Sequence, residues 1–85
     1  MNIDLKDILT LDDNKEYMVA SICDYKNNTY LYLIDINDNK NIKFTRLEND
    51  EVVTITDEDL LKQIIPLLYK TALIEIRNDL NGDTD

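Results

Sequence analysis

The chain has 85 residues, of which 18 are acidic and 9 basic, so its formal net charge at neutral pH is -9. A chain of this length supports one domain with a single core, and a composition of 44% hydrophobic and 32% charged residues argues against disorder. The electrostatic field of such a negative protein repels nucleic acid and anionic membranes. We therefore expect no direct contact with either and favour a basic protein partner. The alternative is that the acidity serves only solubility.

The chain also carries few signals for export. Cys23 is the only cysteine, which leaves no disulfide framework. Residues 1–9 have scattered charges and lack the apolar core of a signal peptide. No apolar run reaches the roughly 20 residues that span a bilayer. These features predict a cytoplasmic protein.

Turns rich in Asn and Asp divide the first two-thirds of the chain, because both residues tolerate positive φ. The segments between them have strand composition and are residues 5–11, 16–25, 29–36, 41–48 and 51–56. Two-residue turns at 13/14, 27/28, 38/39 and 49/50 give an antiparallel meander. The predicted pairs are Leu9–Met18, Ile22–Leu33, Leu33–Phe44 and Phe44–Ile55. They place on one apolar face Leu5, Leu9, Met18, Ala20, Ile22, Leu31, Leu33, Ile42, Phe44, Val53 and Ile55.

A helix is predicted after the last strand. Thr56 is the expected N-cap, and Asp59 at the third helical position completes a short capping box. Apolar residues then recur at helical spacing, and Pro66 predicts a kink or two shorter helices. The predicted fold is α+β, a curved sheet or partly closed barrel with a kinked C-terminal helix on one face. Residues 1–80 form the domain, and residues 81–85 form a frayed acidic tail.

The opposite face of the predicted sheet is also apolar and carries four tyrosines: Tyr17, Tyr25, Tyr30 and Tyr32. One interpretation is that the sheet curls toward a barrel, or that one register is shifted by a residue. The other is that these tyrosines form a surface for a partner or for self-association, since tyrosine combines rigid contact area with a polar tip. Three apolar residues of the helix lie outside its main apolar stripe: Leu67, Leu73 and Ile74. They could pair with a second copy of the chain, so a homodimer is a further possibility.

The sequence nominates no catalytic, metal or cofactor site. It contains no His, the commonest general base, and Cys23 has the pattern of a core residue in a strand. Asp35, Asn37 and Asn39 match the start of an EF-hand loop, but the positions that need Gly and Glu hold Lys40 and Arg46. We therefore predict a protein that is not an enzyme.

Six carboxylates flank the last predicted strand and are the candidate partner-binding residues: Glu48, Asp50, Glu51, Asp57, Glu58 and Asp59. Each group of three has a local role, in a turn or at the positive end of a helix. They can also converge into one acidic edge. Carboxylates at alternate strand positions lie about 6–7 Å apart, which is comparable with successive phosphates of a nucleic-acid strand. Such an edge would mimic nucleic acid.

The segments 9–17, 30–35 and 51–68 resemble the YrzB-like family of small acidic bacterial proteins. The shared pattern is a threonine, an apolar residue, an acidic turn and Glu-Tyr, followed by a strand with Tyr and Leu, an acidic stretch and a terminal helix. The chain departs from it with Asn in place of Gly in the first turn and with a shorter acidic run. The family pattern has no catalytic signature and no established biochemical activity, so the resemblance implies no site residues.

In size, acidity and composition the chain is also similar to phage inhibitors of host defence, including anti-CRISPR proteins. Our leading hypothesis is a non-enzymatic inhibitor that blocks a nucleic-acid-handling host protein, through an acidic edge and an aromatic face. The alternative is a housekeeping accessory protein of the YrzB-like type that acts through homodimerisation or a neutral partner.

Overall fold

The computed structural model describes residues 3–82, and the side chains of residues 3–72. Its elements are β1 (Ile8–Thr10), β2 (Glu16–Tyr25), β3 (Asn28–Asp35), β4 (Asp38–Glu48), β5 (Glu51–Thr54) and α1 (Glu58–Gly82). The strands form one sheet in chain order, each antiparallel to the next, and the sheet curls into a half-barrel. The predicted α+β meander with a C-terminal helix is confirmed. The predicted tail overlaps the end of α1, and its last three residues lie outside the described residues.

Two of the hairpins close with two-residue turns in which both central residues have positive φ. Asn49 (48°) and Asp50 (71°) form one, so that Glu48 pairs with Glu51 as predicted. Lys26 (49°) and Asn27 (68°) form the other, one residue earlier than predicted. This turn geometry matches the right-handed twist of the flanking strands.

The register of the first two hairpins differs from the prediction. Leu9 pairs with Tyr17 rather than Met18, and Ile22 pairs with Leu31 rather than Leu33. A shift in β2 between Val19 and Ser21 adds an unpaired residue. Because side chains alternate between faces, a one-residue shift moves every later side chain to the other face.

Of the last two hairpins, one differs from the prediction and the other agrees with it. In β3–β4 the turn lies at residues 36–37, earlier than predicted, and Phe44 pairs with Tyr32 instead of Leu33. The predicted pairing of Phe44 with Ile55 is confirmed by the Ile55 N–H, which donates to the Phe44 carbonyl at 3.0 Å. The predicted single apolar face is therefore wrong, and its residues are divided between two cores.

The inner core lies inside the curl of the sheet. Its fully buried members are Tyr17, Val19, Leu31 and Leu33. Leu9 from β1 and Val52 from β5, the strands at the two edges of the sheet, pack against this same cluster. Contact of both edges with one cluster means that the sheet bends around it. The interpretation of the second apolar face as a sign of curling is confirmed.

The outer core lies between the sheet and α1. Ile64 and Leu68 of the helix are fully buried against Tyr30, and the partly buried side chains around them are Cys23, Tyr25, Tyr32, Phe44, Ile55, Leu60 and Leu61. The helix therefore covers the face that carries Tyr25, Tyr30 and Tyr32.

The helix is capped one residue later than predicted. The Asp57 carboxylate accepts hydrogen bonds from the N–H groups of Asp59 at 3.0 Å and Leu60 at 3.4 Å, so Asp57 and not Thr56 is the N-cap. Pro66 lies inside α1, which continues past it as one helix. The predicted division into two shorter helices is wrong.

Helix docking gives a stability prediction. Leu68→Ala removes a fully buried side chain and should lower the free energy of unfolding by about 2–4 kcal/mol. The matched control is Leu67→Ala, one residue earlier in the same helix and 37% exposed, which should change it by less than about 1 kcal/mol. Urea unfolding followed by circular dichroism measures both. Equal losses for the two variants would contradict the described helix face.

Candidate functional site: an acidic cleft between the sheet edges

A cleft of about 360 Å³ lies where the two edges of the curled sheet face each other. Its lining comes from the end of β1 and from the turn and first residues of β5: Leu9, Thr10, Leu11, Asp12, Asp50, Glu51 and Val52. Because each strand is antiparallel to the next, β1 and β5 run in the same direction. The cleft is thus bounded by two strands that are distant in sequence.

The floor and the rim of this cleft differ in chemistry. Leu9, Leu11 and Val52 are half-buried and pack on the inner core, so they form an apolar floor. Asp12, Asp50 and Glu51 are exposed and supply carboxylates around the opening. An apolar floor with a few charged groups at its rim is the usual composition of a protein-binding site.

The structure divides the six predicted carboxylates between the two ends of β5. Asp50 precedes the strand, Glu51 is its first residue, and both line the cleft, whereas Asp57 follows the strand and caps α1. The strand alone separates the two groups by about 10 Å. Glu48 forms an ion pair with Arg46, whose pKa the Glu48 carboxylate raises. Of the predicted edge, only Asp50 and Glu51 line the cleft.

The four predicted tyrosines do not share a face. Tyr17 belongs to the inner core and Tyr30 to the outer core, at 0% and 2% exposure. Neither is available to a partner in the folded protein, which corrects the predicted surface. Tyr25 donates its hydroxyl to Gln63 Oε1 at 2.7 Å, and the Tyr32 ring lies 5.3 Å from that of Tyr69. These two hold the protein's own helix, and a partner role for them stays a prediction.

A second, smaller cavity of about 290 Å³ lies on the helix side of β5. It is lined by Arg46, Val53, Thr54, Ile55, Thr56, Asp57 and Leu60. Here the Asp57 carboxylate is already bonded to the first turn of the helix, and Arg46 is paired with Glu48. The charged groups of this cavity therefore already have internal partners.

A polar network links the turn between β1 and β2 with strands β2, β3 and β4. Tyr17 donates its hydroxyl to Asp13 Oδ2 at 2.6 Å, and Asn41 donates its amide to the Tyr17 hydroxyl at 3.1 Å and to Asp35 Oδ2 at 3.0 Å. Lys43 lies 3.9 Å from Asp13 and 5.8 Å from the centre of the Tyr17 ring. The network joins three strands and their turns, so we assign it to folding.

The two acids of this network have lowered pKa values. The Tyr17 hydroxyl is the main cause for Asp13, followed by the backbone N–H of Lys15. For Asp35 the main cause is the N–H of Asn37, which donates to Oδ1 at 2.8 Å, followed by the Asn41 amide. Hydrogen bonds to a carboxylate stabilise its charged form, so both acids are ionised in the folded protein at neutral pH.

Other chemistry is sparse in the part of the chain that the structure describes. Burial raises the pKa of the Cys23 thiol, which keeps it protonated among its apolar neighbours. Among the described side chains, those of residues 3–72, no three His, Cys, Asp or Glu are grouped so that they could hold a metal ion. The described part of the chain contains no helix that is both long enough and apolar enough to cross a membrane.

Asp12 is the cleft residue that sequence reasoning missed. It lies between the first two predicted strands, and nothing local connects it with Asp50 and Glu51, which follow about forty residues later. The usable signal is topological. In a five-stranded meander that curls, the first and last strands approach each other.

Comparison of the chain with protein-family models, with curated proteins and with solved structures gives no significant match. The resemblance to the YrzB-like family therefore stays a prediction.

The acids of the polar network give a pH prediction. Because the pKa values of Asp13 and Asp35 in the folded protein lie below the ordinary 3.8, their stabilisation is complete above that pH and is lost as the pH falls through the lower values. Asp35→Asn should therefore lower Tm at neutral pH, and its difference from the wild type should shrink below about pH 3.8.

Thermal unfolding followed by circular dichroism between about pH 7 and pH 2 measures this difference. Glu16→Gln is the control, since it removes the same charge at an exposed side chain. A difference for Asp35→Asn that is independent of pH would contradict the assigned role of its carboxylate.

Proposed function

We propose that the protein is a non-enzymatic binding module that engages a basic protein partner at the acidic cleft between β1 and β5. The observation that carries the proposal is that two exposed carboxylates from opposite edges of the sheet, Asp12 and Glu51, lie around one apolar floor. Of the other acidic groups near β5, Asp57 caps the helix, Glu48 pairs with Arg46, and Asp50 also has a partner within the protein.

The two parts of the cleft contribute differently to binding. The net charge of -9 and the carboxylate rim attract a positively charged partner and raise its association rate, an effect that salt weakens. The apolar floor supplies affinity that salt does not remove. A partner with basic and apolar groups together fits this combination better than a purely cationic surface.

The most concrete version is a cytoplasmic inhibitor of phage or mobile-element origin that blocks a nucleic-acid-handling protein of the host. Such proteins carry basic grooves that bind phosphates, and the carboxylates of the cleft rim match the charge that these grooves select. In this version the acidic protein blocks the basic groove of its partner and does not contact nucleic acid itself.

A second candidate is an accessory protein that self-associates. One observation favours it: Ile8, Met18, Ile34 and Ile42 form a row across four strands of the outer face, and Ile8 is 49% exposed. Exposed apolar surface on a small protein often marks an interaction site. In this case the acidity serves solubility alone.

Two double variants with equal charge change test the proposal. Asp12→Asn with Glu51→Gln neutralises the cleft, whereas Glu58→Gln with Asp59→Asn neutralises the exposed start of the helix. We expect the cleft variant to bind a purified basic partner about tenfold or more weakly, and the helix variant to bind within about threefold of wild type.

The partner is first captured from bacterial lysate, identified by mass spectrometry and purified. Its affinity is then measured by calorimetry at about 50 and 300 mM salt, because the higher salt concentration screens the attraction of the rim carboxylates more strongly. Equal affinities of the two variants would contradict the cleft assignment. Recovery of only the protein itself at both salt concentrations would favour self-association.

A further inference from the structure

The free edge of β5 carries unpaired backbone groups. In an antiparallel pair, residues that exchange hydrogen bonds alternate with residues whose N–H and C=O groups point away. The Ile55 N–H donates to the Phe44 carbonyl, so the bonded positions of β5 are Val53 and Glu51, opposite Arg46 and Glu48. The groups of Val52 and Thr54 therefore point outward, and Val52 lines the cleft.

The free edge of β1 has the same arrangement. The Val19 N–H donates to the Asp7 carbonyl at 2.9 Å, and the Leu11 N–H donates to the Lys15 carbonyl at 3.1 Å. The bonded positions of β1 are therefore odd-numbered, and the backbone groups of Ile8 and Thr10 point outward. Thr10 lines the cleft opposite Val52.

The direction of the two edges decides what can fill the space between them. β1 and β5 are parallel to each other, and each is antiparallel to its own neighbour in the sheet. One added strand that runs in the opposite direction is therefore antiparallel to both edges at once. Such a strand would continue the alternation and close the half-barrel with six antiparallel strands. A free strand edge is a common site for this kind of addition.

The side chains beside the edges specify the sequence of such a strand. On the inner side they are the apolar floor, Leu9, Leu11 and Val52; on the outer side, Asp12 and Glu51 are acidic and exposed. Because successive side chains of a strand point to opposite faces, the matching strand alternates apolar residues, directed inward, with Lys or Arg, directed outward.

We propose that the cleft binds an extended segment of the partner protein, in which apolar and basic residues alternate, as a sixth strand between β1 and β5. This inference rests on the proposed function and deepens it, since it names the shape and pattern of the segment that the acidic cleft takes.

The test uses a blocked peptide of about seven residues, a typical strand length, in which Val alternates with Lys. Binding to the full chain is followed by amide NMR and hydrogen exchange. We expect the amides of Thr10 and Val52 to gain protection when peptide is added. Two control peptides have the same composition, one with all its lysines at one end and one with N-methyl groups on alternate amides, and each should bind about tenfold more weakly.

A matched pair of protein variants tests the edge directly. Thr10→Pro removes an outward N–H, a loss that an edge strand tolerates, together with the exposed threonine side chain. Thr10→Ala removes the same side chain and keeps the N–H. The first should weaken binding of the alternating peptide about tenfold, and the second should leave it nearly unchanged. If Thr10→Pro does not fold, the N-methylated peptide decides.

The outcomes separate the two proposals. Binding that depends on salt and on Asp12 and Glu51, but that tolerates N-methylation and Thr10→Pro, would overturn strand addition and leave the acidic cleft in place. Absence of binding at millimolar peptide, or protection of Thr10 and Val52 in the protein alone, would also overturn it. Protection that rises with protein concentration would identify a second copy as the occupant.

Discussion

The contact of both edge strands with one inner core is the constraint on which the rest of the structure depends. Leu9 at one edge and Val52 at the other both pack on the cluster around Leu31 and Leu33, although the sheet separates their strands by three others. Burial of those side chains requires the sheet to bend. The β-bulge between Val19 and Ser21 assists the bend, because an extra residue increases the local twist. Curling then brings Asp12 beside Asp50 and Glu51.

The same constraint explains why an opening remains. Five strands enclose the inner core only in part, and the single helix is committed to the outer face by Ile64 and Leu68. Within residues 3–82, β1 and β5 each pair with one neighbouring strand only. Exposed carboxylates beside these edges discourage pairing with another copy of this acidic chain, since like charges repel there. The same carboxylates favour pairing with a basic strand, so the two edges select a basic segment over another copy of this chain.

Strand number, order and the presence of the helix could be predicted from the sequence, because turn residues and apolar periodicity are local signals. The division into two cores could not. It depends on two register shifts, one in β2 between Val19 and Ser21 and one between β3 and β4 at Ile34 and Asp35, and neither has a distinctive local pattern. Tyr17 shows the consequence, since one shifted residue moved it from the predicted outer surface into the inner core. Asp12 lines the cleft only because the curl of the sheet brings the first and last strands together.

Native-state hydrogen exchange of the isolated protein tests the central claim most directly, which is that β1 and β5 are open edges on either side of the cleft. The account predicts fast exchange at the outward amides of Thr10 and Val52, and slow exchange at Leu9 and Val53, whose N–H groups point into the sheet. Uniform protection of all four amides would show that the edges are already paired, and would contradict the open half-barrel and the binding mode derived from it.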